Sequence, residues 1–401
     1  MPEHAIEPVP LPSAADVDLV PPTADEVQVI ARGMASAAAP PEGLTTVQRA
    51  VLEALTESMT GVAVDLADFE PIGPRQYAEA LSRRDAAFRT RVFQAMLLAE
   101  MLLVPIPPSV SARVEEYGAH LGVGDDMLQV VRRIANGSLG LALIDFERSG
   151  YFDQLVQRAP DALHLPEALD DAWQLSCTDD EMFERWAALE HCAPGTLGRG
   201  VWEFYRARGF TFPGHAGSAP PTLAQHDWIH VLADYGSTVE SEIEVFGLIS
   251  RCNDDPQAFS LLAMVLGLFE TGYLYGAARG FFEYDRGHLS GDADRMAVRL
   301  ADAMARGARL AWHLNDTGRG DCTDLLATDW FAHADTPLDE VRADFGLPPR
   351  SERAIAAGST TPWESGGISP YQFAQGRTAA EAAGREYDAY GASPHGDGAS
   401  A

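Results

Sequence analysis

From Thr45 onward, apolar residues recur at spacings of three and four, and runs that alternate apolar and polar at every second position are almost missing. This rhythm puts apolar side chains on one helical face and leaves little from which to build a sheet. The expected fold is therefore mainly α, a helical bundle. Thr45-Thr46-Val47-Gln48 opens a run that continues through Val51, Leu52, Leu55 and Met59, and residues 93–103 form a second, strongly apolar helix. Pro105-Ile106-Pro107-Pro108 ends that helix, because proline lacks the amide donor and clashes with the preceding turn. Further helices are predicted over 109–121, 125–143 and 151–157. Phe210-Thr211-Phe212-Pro213 is the best short strand candidate, and Pro213 demotes it.

At about 150 residues per domain, 401 residues suggest two domains plus tails, and a hydrophobic fraction of 46% is enough for packed cores. Residues 1–44, rich in proline, alanine and acid, read as a disordered acidic leader. A helical domain is expected over 45–160 and a second over 161–349. The Gly-, Ser- and Ala-rich stretch 350–401 reads as a flexible tail, with Tyr371-Gln372-Phe373 able to dock locally. In helix rhythm and acidic turns, the N-terminal domain is similar to the small helical domains of the tellurite-resistance TerB type.

A net charge of −30 repels nucleic-acid phosphate and anionic headgroups, so charge-driven binding to either is not expected. The chain has no lysine; all 29 basic residues are arginine. Schiff-base chemistry, lysine-anchored pyridoxal phosphate and the lysine-dependent phosphate loop are excluded. Cys177, Cys192, Cys252 and Cys322 are far apart and fit neither a zinc ribbon nor a disulfide scaffold. Met1-Pro2-Glu3-His4 does not begin a signal peptide, and the apolar stretches 92–106 and 259–269 are interrupted or too short to span a bilayer. A soluble, cytoplasmic protein is expected.

One constellation carries chemistry: His226-Asp227-Trp228-Ile229-His230, then eleven residues, then Glu242. Histidines at i and i+4 lie one turn apart on one helical face, so both imidazoles can reach one ion. Asp227 can ligate or orient a histidine. In a continuous helix Glu242 would sit about 18 Å from His230 along the axis. Tyr235-Gly236-Ser237-Thr238-Val239-Glu240 argues instead for a hairpin, with Gly236 closing one helix and Ser237-x-x-Glu240 forming a capping box for the next. At a helix separation of about 8–10 Å, Glu242 then faces the histidines.

H-D-x-x-H-x(11)-E resembles the signature of the coenzyme Q biosynthesis protein 4 family. Upstream, Pro194-Gly195-Thr196-Leu197-Gly198-Arg199 with Phe204-Tyr205 is similar to that family's P-G-T-x-G segment. Downstream, Ala305-Arg306-Gly307-Ala308, Asp329-Trp330 and the run from Leu338 to Leu347 resemble its closing helix. The resemblance covers roughly residues 170–349. It implies a helical fold, an apolar groove for a polyprenyl chain, and a zinc ion or another divalent metal such as iron or manganese. His226, Asp227, His230 and Glu242 would be the metal ligands and catalytic residues. It also implies a role in ubiquinone biosynthesis, at the oxidative decarboxylation of C1 of a prenylated benzoate ring, alongside organisation of other pathway enzymes. Such a protein would be a homo-oligomer with transient contact at the inner face of the membrane. Thr222-Leu223-Ala224-Gln225 departs from the family, which has basic residues there; the N-terminal domain and both tails are additional.

An ion held by two histidines and one or two carboxylates keeps a position open for substrate or water. Zinc has no redox chemistry, so an oxidative step needs another electron acceptor, or iron or manganese in the site. Apolar residues 261–269, with Gly272, Gly276 and Gly280 beside Tyr273, Phe281 and Phe282, read either as tight helix packing or as a prenyl-tail element. His191, His215, His288, His313 and His333 read as satisfied histidines. Aspartate after His226 disfavours an H-E-x-x-H protease, and a His-Asp phosphohydrolase needs a further histidine and aspartate that cannot be assigned. The remaining alternative is a non-catalytic prenyl-lipid-binding scaffold for other biosynthetic enzymes.

Overall fold

The computed structural model describes residues 6–103, 107–123, 179–219, 221–253, 259, 262, 265, 266, 269 and 287–389. Among the described residues there are thirteen α-helices and no strand; Thr196–Pro337 and Thr211–Ser218 form isolated bridges. The mainly helical bundle is as expected, and the strand candidate at 210–213 contributes only the bridge at Thr211. The helices expected over 125–143 and 151–157, Cys177 and the row Gly272, Gly276 and Gly280 lie outside the described residues. No described helix is long and apolar enough to cross a membrane.

Two compact units form, and neither is contiguous in sequence. The first comprises Met1–Ser138 with Asp254–Ala305, the second Leu139–Asn253 with Arg306–Ala401. The expected division near residue 160 is thereby corrected, since the chain returns to the first unit after residue 253. Phe259, Leu262, Val265, Leu266 and Phe269, spaced at three and four, are all buried there, and the Arg91 guanidinium lies 4.8 Å from the Phe259 ring centroid. The described part of the 261–269 stretch is core.

The first unit contains α1 (Ala24–Ala38), α2 (Thr46–Thr60), α3 (Pro74–Ala80), α4 (Ala86–Met101) and α5 (Pro108–Leu121). α1 overturns the leader expected over 1–44. Thr23 caps it, and Val27, Ile30, Ala31, Met34, Ala35, Ala37 and Ala38 are buried. The alanine richness that suggested disorder is close packing by small residues; a Cβ on Gly33 would sit 2.0 Å from the Tyr77 ring. The residues ahead of α1 are held by arginines. Arg84 donates to the Asp18 and Val20 carbonyls, and fully buried Arg89 to those of Val9 and Pro10. α2 opens with the Thr45/Gln48 capping box, and the Gln48 amide donates to the carbonyls of Ala38 and Ala99, each at 2.9 Å.

The second unit contains α6 (Asp180–Ala187), α7 (Leu197–Arg208), α8 (Pro221–Ala233), α9 (Val239–Cys252), the latter part of α10 (Ala293–Asp316), α11 (Leu338–Asp344), α12 (Glu352–Ala356) and α13 (Pro370–Ala382). α12 and α13 correct the flexible tail expected from residue 350. Ser369 and Gln372 form a capping box, Gln372 is buried, and the Tyr387 hydroxyl donates to the Ala207 carbonyl at 2.8 Å. Glycine here permits backbone contact: a Cβ on Gly376 would lie 2.1 Å from that same carbonyl oxygen.

Candidate metal centre

α8 and α9 form the hairpin. α8 stops at Asp234, whose left-handed backbone (φ 63°) is the one positive φ outside glycine among the described residues. Arg350 fixes the Asp234 carboxylate at 3.2 Å. The start of α9 is capped by Thr238, one residue later than the expected Ser237, and with no side-chain cap bond. The hairpin is as the spacing requires; the residues that turn it are Asp234 and Thr238 rather than Gly236 and the Ser237/Glu240 pair.

The turn brings the four residues together. His226, Asp227 and His230 each bring a ligand atom to within 4.8 Å of one another, a buried group able to hold a metal ion. Glu242 lies 3.5 Å from Nε2 of His226 and 3.2 Å from Nε2 of His230; Nε2 of His226 is 3.6 Å from Asp227. The group close enough to share one ion is His226, Asp227 and His230, and the Glu242 carboxylate lies beside both imidazoles. All four side chains are at most 3% exposed.

The orientation of the imidazoles is the chemically decisive detail. Nδ1 of His226 donates to the Leu223 carbonyl at 2.5 Å, and Nδ1 of His230 to the Gly236 carbonyl at 2.7 Å. A carbonyl only accepts, so each Nδ1 carries a proton and each Nε2 is left to face Glu242. Protonated, the rings pair with the Glu242 carboxylate; neutral, each presents an Nε2 lone pair that a metal ion can take. Burial by itself pushes the Glu242 carboxyl up; charged His230 and His226 more than reverse this and hold it well below the usual carboxylate range. The buried group of two imidazoles and the Asp227 carboxylate is chemically suited to a divalent ion.

Residues the motif does not contain complete the site. The Tyr205 hydroxyl, from α7, donates to Asp227 Oδ2 at 2.5 Å. Phe204 stacks on His230 and Phe246 on His226, with centroids 5.2 and 5.5 Å apart. Arg342, from α11, donates to the carbonyls of Leu232 and Val231 at the end of α8. The two flanking segments meet: Leu197 N–H donates to the Thr336 carbonyl and Leu338 N–H to the Gly195 carbonyl. The signal for Tyr205 was its helix register, aimed at α8, and for Arg342 its place in a helix whose partner the sequence does not show. A cleft of about 680 Å³ opens nearby, between Thr238–Glu240 and residues 365–373, and none of the four donors lines it.

Two of the other described histidines are engaged elsewhere. His215 stacks on Phe183 (3.7 Å between centroids) and pairs with Asp180, and His313 contacts the Asp344 carbonyl. Cys192, Cys252 and Cys322 form no disulfide among the described residues. Burial, with the Asp335 carboxylate beside it, pushes the Cys192 thiol up to about 11. Its thiolate fraction at pH 8 should therefore be about a hundredfold below that of an ordinary thiol. Iodoacetamide labelling followed by pH should show Cys192 staying inert until well above pH 9; reaction at pH 8 at the rate of a free thiol would contradict this environment.

Compared with family models, with curated proteins and with solved structures, the chain matches none.

Phenylalanine at Tyr205 tests the hydroxyl's role. It removes the hydrogen bond to Asp227, so metal affinity should drop about tenfold with the fold retained. Chelator competition on the purified variant reads this directly, and unchanged affinity would make Tyr205 a packing residue only.

Proposed function

We propose that the chain is a metal-dependent protein of ubiquinone or related prenyl-lipid biosynthesis, acting at C1 of a prenylated benzoate-type ring. The observation that carries the metal part is the convergence of His226, Asp227, His230 and Glu242, with both Nδ1 atoms tied to carbonyls. The substrate part rests on the motif H-D-x-x-H-x(11)-E and its flanks, which meet beside the hairpin. Zinc is the ion that this nitrogen and oxygen set suits; iron suits the same ligands and would add an electron acceptor. The bound ion would supply Lewis acidity toward a ring carboxylate or phenolate. The protein's own contribution is the dry aromatic enclosure and the orientation of each ligand.

A second reading is favoured by one observation. The four donors are enclosed, as in metal sites that serve folding, so the chain would be a prenyl-lipid-binding scaffold with a structural ion. One experiment separates the two. Protein purified without a histidine tag is analysed for metal, then incubated with a carboxyl-labelled prenylated hydroxybenzoate and an electron acceptor. About one metal per chain together with released labelled carbon dioxide supports the first reading. Metal and tight lipid binding without product would replace it by the scaffold, and absence of metal after reconstitution would overturn both.

A further inference from the structure

The C-terminal segment beyond residue 358 is tied to the metal hairpin, and the ties converge on one ligand. The carbonyl that orients His230 belongs to Gly236, which lies in neither helix. Gly236 is held from outside the hairpin: its N–H donates to the Thr360 carbonyl at 2.9 Å, and the next N–H, of Ser237, to the Gly367 carbonyl at 2.8 Å. A Cβ on Gly236 would lie 2.7 Å from the Gly367 Cα, so the two backbones touch. The Ser237 hydroxyl donates to the Gln372 side-chain oxygen at 2.9 Å.

A second route runs through α7. The Arg208 guanidinium, fully buried, donates to the Ser237 hydroxyl and to the carbonyls of Gly367 (3.1 Å) and Pro362 (3.4 Å). The same guanidinium lies 3.7 Å from the centroid of Phe204, and Phe204 stacks on the His230 ring. The segment therefore reaches His230 twice, at Nδ1 through Gly236 and at the ring face through Arg208 and Phe204. His226 differs, because its orienting carbonyl, Leu223, is in its own helix.

We propose that residues 359–372 form a strap that sets the position of His230, with Arg208 and Ser237 as positioning residues. The inference rests on the metal reading of the hairpin and assigns a role to a segment that the motif does not include. Coupling between sites is reciprocal, so docking of the strap should raise metal affinity and metal should tighten the strap.

The test uses the full chain and Co2+ as probe. Metal affinity by chelator competition, the Co2+ absorption spectrum and hydrogen exchange over 360–372 are measured for the wild type, Ser237→Ala and Ser237→Thr. Ser250→Ala serves as control, since Ser250 is equally buried in α9 and its hydroxyl donates only within that helix. Expected are an affinity loss of about tenfold and an altered spectrum in Ser237→Ala, recovery in Ser237→Thr, and no change in Ser250→Ala. Exchange over 360–372 should slow when Co2+ is added to the wild type and respond less in Ser237→Ala. Wild-type affinity and spectrum in Ser237→Ala, or exchange indifferent to the ion, would overturn the strap while leaving the metal site standing. A wild type that takes up no Co2+ would overturn both.

Discussion

Glutamine at position 242 is expected to empty the proposed metal site. Glu242→Gln keeps the volume of the side chain and removes the charge that faces Nε2 of His226 and of His230 at 3.5 and 3.2 Å. Two neutral imidazoles and Asp227 remain, and the loss of one anionic ligand from a divalent site should lower affinity at least a hundredfold. His230→Ala removes the imidazole held by Gly236 and should do the same. Plasma mass spectrometry should find well under a tenth of a metal per chain in either variant, while circular dichroism shows the helices in place. Metal near one per chain in both would end the site assignment.

Replacing Arg89 by methionine is expected to be the most damaging change in the first unit. The guanidinium is fully buried and donates to five carbonyls, those of Val9, Pro10, Ser82, Arg84 and Leu121, at 2.7–3.3 Å. Methionine fills similar space with no donor, so several carbonyls lose their partner inside the protein. A loss of about 3–5 kcal/mol in denaturant unfolding is expected. Residues 6–20 should also become cleavable in limited proteolysis, since Val9 and Pro10 lose their anchor. A variant as stable as the parent, with an uncut N-terminus, would show that α1 alone secures this segment.

These residues mark what a sequence shows and what it conceals. The spacing of His226, His230 and Glu242 is legible because helix geometry converts sequence distance into a face, and the face into a shared point. The turn was legible only in outline: Asp234 takes the left-handed backbone and Thr238 the cap, while Gly236 and Ser237 serve the C-terminal segment. α1 stayed hidden because alanine and glycine bury little area singly, and its stability comes from partners such as Tyr77. Arg89 was invisible for the same reason, since its acceptors at Val9 and Pro10 lie about eighty positions away. Tyr205 follows the Pro194–Arg199 segment in sequence, yet its task depends on which helix it meets.

The interleaved connectivity of the two units has a consequence for synthesis. Helices α1–α5 leave the ribosome first, but Phe259, Leu262, Val265, Leu266 and Phe269, which belong to the same core, follow only after residues 139–253. At about 5–20 residues per second that interval is on the order of ten seconds. During it the α8–α9 hairpin can close, while the earlier helices still lack part of their apolar cover. The half of the protein that begins first is thus completed after the centre of the other has been made, and the nascent chain needs shielding over just that interval.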